Sequence, residues 1–135
     1  MKSQSRGSAA SSYALSILRI VTGLLFICHG LQKLFGMLGG HRVPVSAVLT
    51  SLFGVAGLLE TIGGTLIILG LFTRPVAFIL CGEMAVAYFK AHLPSGPIPL
   101  VNHGEIAVLN CFVFLYLIFA GGGPISLDRI LRGKN

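Results

Sequence analysis

Four long apolar runs divide the chain, at about residues 13–35, 46–72, 75–93 and 104–120. About 20 residues of α-helix cross the hydrocarbon of a bilayer, so each run predicts a membrane-spanning helix, the last two only just long enough. Gly and Pro breakers in GMLGGHRVPV part the first run from the second. Thr73-Arg74-Pro75 joins the second to the third as a tight turn with Pro at a helix start. Short connections make antiparallel neighbours. Between the third and fourth runs, LPSGPIPLVNH carries Pro94, Pro97 and Pro99. It is too Pro-rich for a long helix and too apolar for a free linker, and is expected to fold over one mouth of the bundle. The pattern predicts an all-α fold, a four-transmembrane-helix antiparallel bundle over residues 13–121. A disordered Ser-rich tail is expected before it at 1–12, and a short basic tail after it at 122–135.

Composition agrees. Of the 135 residues, 54% are hydrophobic and 10% charged, with mean hydropathy +0.88, against roughly 25% charged in a soluble domain. The net charge of +6 is scattered between apolar runs rather than gathered in a stripe, which excludes a nucleic-acid partner and makes the lipid bilayer the expected one. Lys2, Arg6, Arg74, Arg129, Arg132 and Lys134 fall on one side, joined by Arg19, against Lys33, Arg42 and Lys90 on the other. The positive-inside rule then puts both termini in the cytoplasm of a bacterial-type plasma (inner) membrane. Residues 1–12 contain no apolar leader, so the first run is expected to remain as a span. Cys28, Cys81 and Cys111 lie in separate runs with no CxxC pair, and are expected to be packing residues.

Every Glu lies inside or at the edge of an apolar run: Glu60 and Glu83 near mid-run, Glu105 at the start of the last. Ionisable groups in hydrocarbon are costly and normally face a bundle interior or wet cavity. Helical spacing places Arg19, Gly23, Phe26, Gly30 and Lys33 on one stripe of the first helix, flanked by Thr22 and His29. Gly57, Thr61 and Gly64 step beside Glu60, so Glu60 is expected to face another helix. Glu83 and Lys90 share a face of the third helix, as do Glu105, Phe112 and Tyr116 of the fourth. By depth, His29, Lys33, Glu60, Glu83 and Glu105 are the leading candidates for a ligand-binding or proton-relay site. Arg19, Lys90, His92, Asn102, His103 and Tyr116 are secondary. They can converge on one polar cavity beneath the Pro-rich loop; the competing reading is an inert buried ion-pair network. His92, His103 and Glu105, with His29, are possible ligand types, but their spacing matches no compact motif, so no metal is expected.

Three stretches carry a family resemblance: LRIVTGLLFICHGLQKLFG from Leu18, LLETIGGTLIILGLFTRPVA around Glu60 running into GEMAVAYFKAHLPSG, and NHGEIAVLNCFVFLYLIFAGGGPISLD ending at Asp128. In order and spacing the chain resembles the DoxX family of small four-helix membrane proteins, over nearly all of residues 15–130. Related proteins include subunits of a thiosulfate:quinone oxidoreductase and members linked to oxidative stress or membrane oxidoreductase complexes. The resemblance therefore implies a quinone-interacting or accessory subunit of a redox complex. It establishes no catalytic set, so it leaves open whether the chain is itself an enzyme.

In that reading His29 and Lys33 donate hydrogen bonds to quinone carbonyls, Glu60 and Glu83 relay protons, and Phe26 and Phe112 flank the ring. No covalently bound cofactor is expected. The sequence has no haem or iron–sulfur motif, so a soluble or membrane oxidoreductase partner must supply electrons. Two alternatives stand beside it. One is a non-catalytic binding or assembly protein that holds a lipid, a small molecule or partner helices. The other is a proton or small-solute path, for which a chain without internal repeats would need to form a homo-oligomer.

Overall fold

The structure is a computed structural model that describes residues 2–133, with side chains from residue 8 onward. Expectations resting on the side chains of Lys2, Arg6 and Lys134 lie outside the described residues. Among the described residues all regular structure is helical. Four long elements carry the fold: α1 (Lys2–Phe35), α2 (Leu52–Leu69), α3 (Thr73–Ala87) and, after the four-residue α4 (Pro99–Asn102), α5 (Glu105–Ala120). A short α6 (Leu127–Arg132) follows. α3 runs on through a π turn at Tyr88–His92, so its apolar stretch reaches Ser95. The spans from Ser8, Leu52 and Thr73 are long and apolar enough to cross a membrane; α5 is a shorter apolar helix of 16 residues.

α1 starts earlier than the sequence pattern suggests. At 34 residues it is about 50 Å long, against roughly 30 Å of hydrocarbon. Residues 8–14 are all exposed. Within them the hydroxyls of Ser11 and Ser12 donate back to the Ser8 carbonyl at 3.0 and 2.8 Å. Such back-bonding satisfies the hydroxyls inside a continuing helix, where composition alone suggests a tail.

α1 packs most extensively on α2, and α3 on α5. Glycines set the first pairing. A Cβ on Gly30 would lie 2.3 Å from Thr61 Oγ1, and one on Gly64 would lie 3.1 Å from the Gly23 carbonyl. The two backbones therefore approach as only small residues permit, which is how helices associate when lipid removes the hydrophobic drive between them. The core is small: Phe26, Ile67, Ala77, Leu80, Met84, Ala107, Phe114 and Leu117. Phe26 of α1 meets Phe114 of α5 edge-on at 4.9 Å, a favoured geometry. Cys81 of α3 and Cys111 of α5 bring their sulfurs to 3.7 Å, an encounter the sequence did not disclose.

The helix ends are closed by specific groups. Ser51 caps α2 by accepting from the Gly54 N–H at 3.0 Å, and Gly70 ends it in the left-handed conformation. α3 begins after Phe72, itself at φ 49. Its cap comes from a distant residue: the Asp128 carboxylate accepts from the Phe72 and Thr73 N–H groups, at 2.8 Å each. At the opposite end the Pro-rich segment is tied down by polar bonds. Asn102 is buried, donates to Gly96 O at 2.7 Å and accepts from the Gly104 N–H at 2.8 Å. Tyr88 Oη donates to Pro97 O at 3.0 Å, and His92 Nδ1 pairs with Asn102 O at 3.1 Å.

Burial alone would raise the Asp128 pKa, but the two backbone donors and nearby Arg132 outweigh it and hold the group below its ordinary 3.8. A depressed carboxyl pKa contributes stability above the unfolded value that is lost as pH falls through the folded one. Asp128→Asn is therefore expected to lower Tm at neutral pH, with the gap to the parent closing as pH drops below 3.8; a gap independent of pH would refute the charged cap. Copper–phenanthroline oxidation is expected to remove Cys81 and Cys111 from alkylation while exposed Cys28 stays labelled. Labelling of all three after oxidation would mean that the α3–α5 register is wrong.

Candidate functional site

Three ionisable residues meet inside the bundle. Lys33, near the end of α1, places Nζ 2.5 Å from Oε1 of Glu60, whose side chain is only 3% exposed. This is the only ion pair within 4 Å among the described residues. Glu83 of α3 lies level with Glu60, by the antiparallel register that Gly63 and Leu80 set between α2 and α3. Glu60 Oε2 and both carboxyl oxygens of Glu83 are buried and accept no hydrogen bond from a described group. The Lys33 ammonium also sits 5.2 Å from the centre of the Phe53 ring, within cation–π range.

Local sequence explains the meeting. Gly30 and Gly57 draw α1 against α2; a Cβ on Gly57 would touch the side chains of Leu34 and Lys33 at 3.0–3.1 Å. Glu60, one turn from Gly57, then faces Lys33. Gly63 lets α3 close in, since a Cβ there would lie 2.8 Å from Leu80 Cδ2, and with α2 and α3 antiparallel Glu83 then lies level with Glu60. The cluster holds one ammonium and two carboxyl groups, so its charge depends on how many protons it carries.

The other sequence candidates separate into different places. His29 is exposed on α1 and has no hydrogen bond to any described group. Arg19 lies at the far end of the bundle, fully buried. It donates through Nε to Gly122 O at 2.8 Å and through Nη1 to Ile68 O at 2.6 Å, and also bonds the Ile67 and Ile125 carbonyls. It is thus a brace for the α2 C-terminus and the chain after α5, neither a snorkelling residue nor a partner of Glu60. His92 and Asn102 hold the Pro-rich loop. Lys90, His103 and Glu105 are exposed around it, and Tyr116 is exposed on α5.

The single polar cavity expected from depth is therefore divided. The ring-flanking role expected of Phe26 and Phe112 is also not met. Phe26 is 1% exposed and filled against Phe114, while Phe112 is 63% exposed. The face shared by Glu105, Phe112 and Tyr116 points outward, and α5 buries Ala107, Phe114 and Leu117 instead. Lipid accepts either face of an apolar helix, so polarity alone did not orient α5. Among the described residues no three His, Cys, Asp or Glu side chains gather as metal ligands would.

Removing either acid should have different consequences. Glu60→Gln leaves the Lys33 ammonium without its counter-ion. Because Lys33 is 20% exposed, the cost is expected at about 2 kcal/mol, below that of a fully buried pair. Glu83→Gln breaks no bond and is expected to cost less than about 1 kcal/mol. Unfolding in mixed micelles checks the contrast. Equal losses would make Glu83 a structural member of the cluster.

Comparison with known proteins places this architecture. The DoxX family profile matches residues 14–93, more than half of the chain. An uncharacterised protein of Haemophilus influenzae is 44% identical over 124 residues, covering 87% of this chain and 90% of the relative. The Bacillus subtilis protein named "Putative oxidoreductase CatD" is 31% identical, with 87% of each chain covered. "Inner membrane protein YphA" of Escherichia coli is 30% identical over 90% of this chain and 92% of its own. No solved structure matches. Lys33, Glu60 and Glu83 all lie within the matched residues, and the chain belongs to the DoxX family of membrane proteins.

Proposed function

We propose that the chain is a proton-handling membrane subunit of an oxidoreductase, with a quinone as the partner molecule at the Lys33–Glu60–Glu83 cluster. The observation that carries this reading is the set of three buried carboxyl oxygens without a hydrogen-bond donor, beside one paired ammonium. Buried acceptors left open are costly, and in a membrane such groups mark pathways and relays. With one cation against two carboxyl groups, neutrality in hydrocarbon is reached when one carboxyl carries a proton.

The residues fit a quinone in complementary ways. Lys33 is a donor suited to a carbonyl, and the open oxygens of Glu83 and Glu60 are acceptors suited to the hydroxyls of the reduced form. A bound quinone would supply two-electron, two-proton chemistry. This chain's part is to orient the head group through Lys33 and to take or give a proton at Glu83. Glu60 holds Lys33 in place and couples its charge to that of Glu83. Electrons would come from a partner oxidoreductase. The subunit would sit in an inner membrane with both termini cytoplasmic.

The test is equilibrium binding of a short-chain quinol to the full chain in nanodiscs, comparing parent with Glu83→Gln. Loss of one hydrogen bond to a charged group predicts about tenfold weaker binding, with the pH dependence of binding flattened. Identical affinity and pH profile in the two proteins would overturn the assignment.

A further inference from the structure

The end of the bundle where α3 begins and α5 finishes holds a cavity of about 390 Å³, remote from the Glu60 cluster. Its wall includes Arg74, Arg129 and Arg132 against a single carboxylate, Asp128. That carboxylate is already engaged by the Phe72 and Thr73 N–H groups. This engagement fixes α6 against the start of α3 and so holds Arg129 and Arg132 at the rim.

The arginines have donors to spare. Arg74 gives one N–H to Phe119 O at 3.2 Å. Neither Arg129 nor Arg132 has a side-chain hydrogen bond or close ion pair among the described residues, and Arg132 acts on Asp128 only through space. The floor is Gly121, Gly122 and Gly123, the first and last at φ 77 and 76. Left-handed backbone favours glycine, and a floor without side chains leaves the guanidinium groups uncovered. Behind it, the buried Arg19 bonds the Gly122 carbonyl at 2.8 Å and adds a further positive charge.

Position narrows the ligand. The cavity lies level with the end of α2, the start of α3 and the end of α5, where a bilayer's head groups are expected. α6 turns exposed Ile130 and Leu131, at 57% and 56%, away from its arginines. Arginine forks match phosphate oxygens bidentately, and basic pockets at the membrane face take anionic head groups.

We propose that this cavity binds a phosphate-bearing anion, supplied by the head group of an anionic phospholipid in the adjoining leaflet. The full chain is to be examined by native mass spectrometry from micelles doped with phosphatidylglycerol or phosphatidylcholine, and separately by thermal unfolding with inorganic phosphate. Parent and the Arg129→Gln/Arg132→Gln variant are compared; both positions are exposed, and a cooperative unfolding transition with parent-like helix content without additive confirms an intact fold. The parent is expected to retain phosphatidylglycerol about tenfold over phosphatidylcholine, with the preference abolished in the variant and weakened by salt. A Tm rise with inorganic phosphate in the parent alone, without lipid preference, would keep the site and make its ligand a soluble anion. No preference and no phosphate effect in the parent, or the same behaviour in the variant, would overturn the proposal.

Discussion

A guanidinium inside a lipid-facing bundle is tolerable only where protein acceptors replace water, and Arg19 shows what that requirement builds. Its donors are taken by the carbonyls of Ile67 and Ile68 at the end of α2, and of Gly122 and Ile125 beyond α5. The last carbonyls of a helix have no intrahelical partner and carry its negative end, so a cation there is doubly favoured. One side chain of α1 thereby ties the end of α2 to the chain that leaves α5. Asp128 completes the same end by capping α3 from α6. The glycine floor and the arginine rim of the basal cavity follow from these two attachments.

The same stripe of α1 does a different job further along. Gly23 and Gly30 bring α2 into backbone contact, and Lys33 then reaches Glu60. The brace and the cluster are thus set by one register between α1 and α2, yet their chemistry differs. Arg19 has all its interactions answered by backbone, as a structural cation should. The cluster leaves three carboxyl oxygens open, which is a poor way to hold helices together and a suitable way to hold or pass a proton.

Much of this was legible along the chain. Run lengths and breakers indicated the four spans, and helical spacing correctly grouped Arg19, Gly23, Phe26, Gly30 and Lys33 on one face. The polarity of Glu60 beside Gly57 and Gly64 pointed it at another helix. The same reasoning misplaced α5: its Glu105–Phe112–Tyr116 face is turned outward. It also brought His103 and Glu105 into a cavity they do not line. The exposed helical stretch before Tyr13 went unread because its serines satisfy themselves along the helix.

The sequence by itself determined the long apolar helices, their apolar surfaces and the ionisable residues that must be accommodated, because hydrocarbon penalises every exposed charge and every broken backbone bond. Tertiary structure decided the partners. Whether Arg19 met a carboxylate or carbonyls, whether Glu83 lay beside Glu60, and whether Cys81 faced Cys111 depended on rotation about each helix axis and on the register between helices. In lipid the apolar residues exert no pull that fixes that rotation, so it is set by glycine contacts, edge-on rings and buried hydrogen bonds that form only once the helices have met.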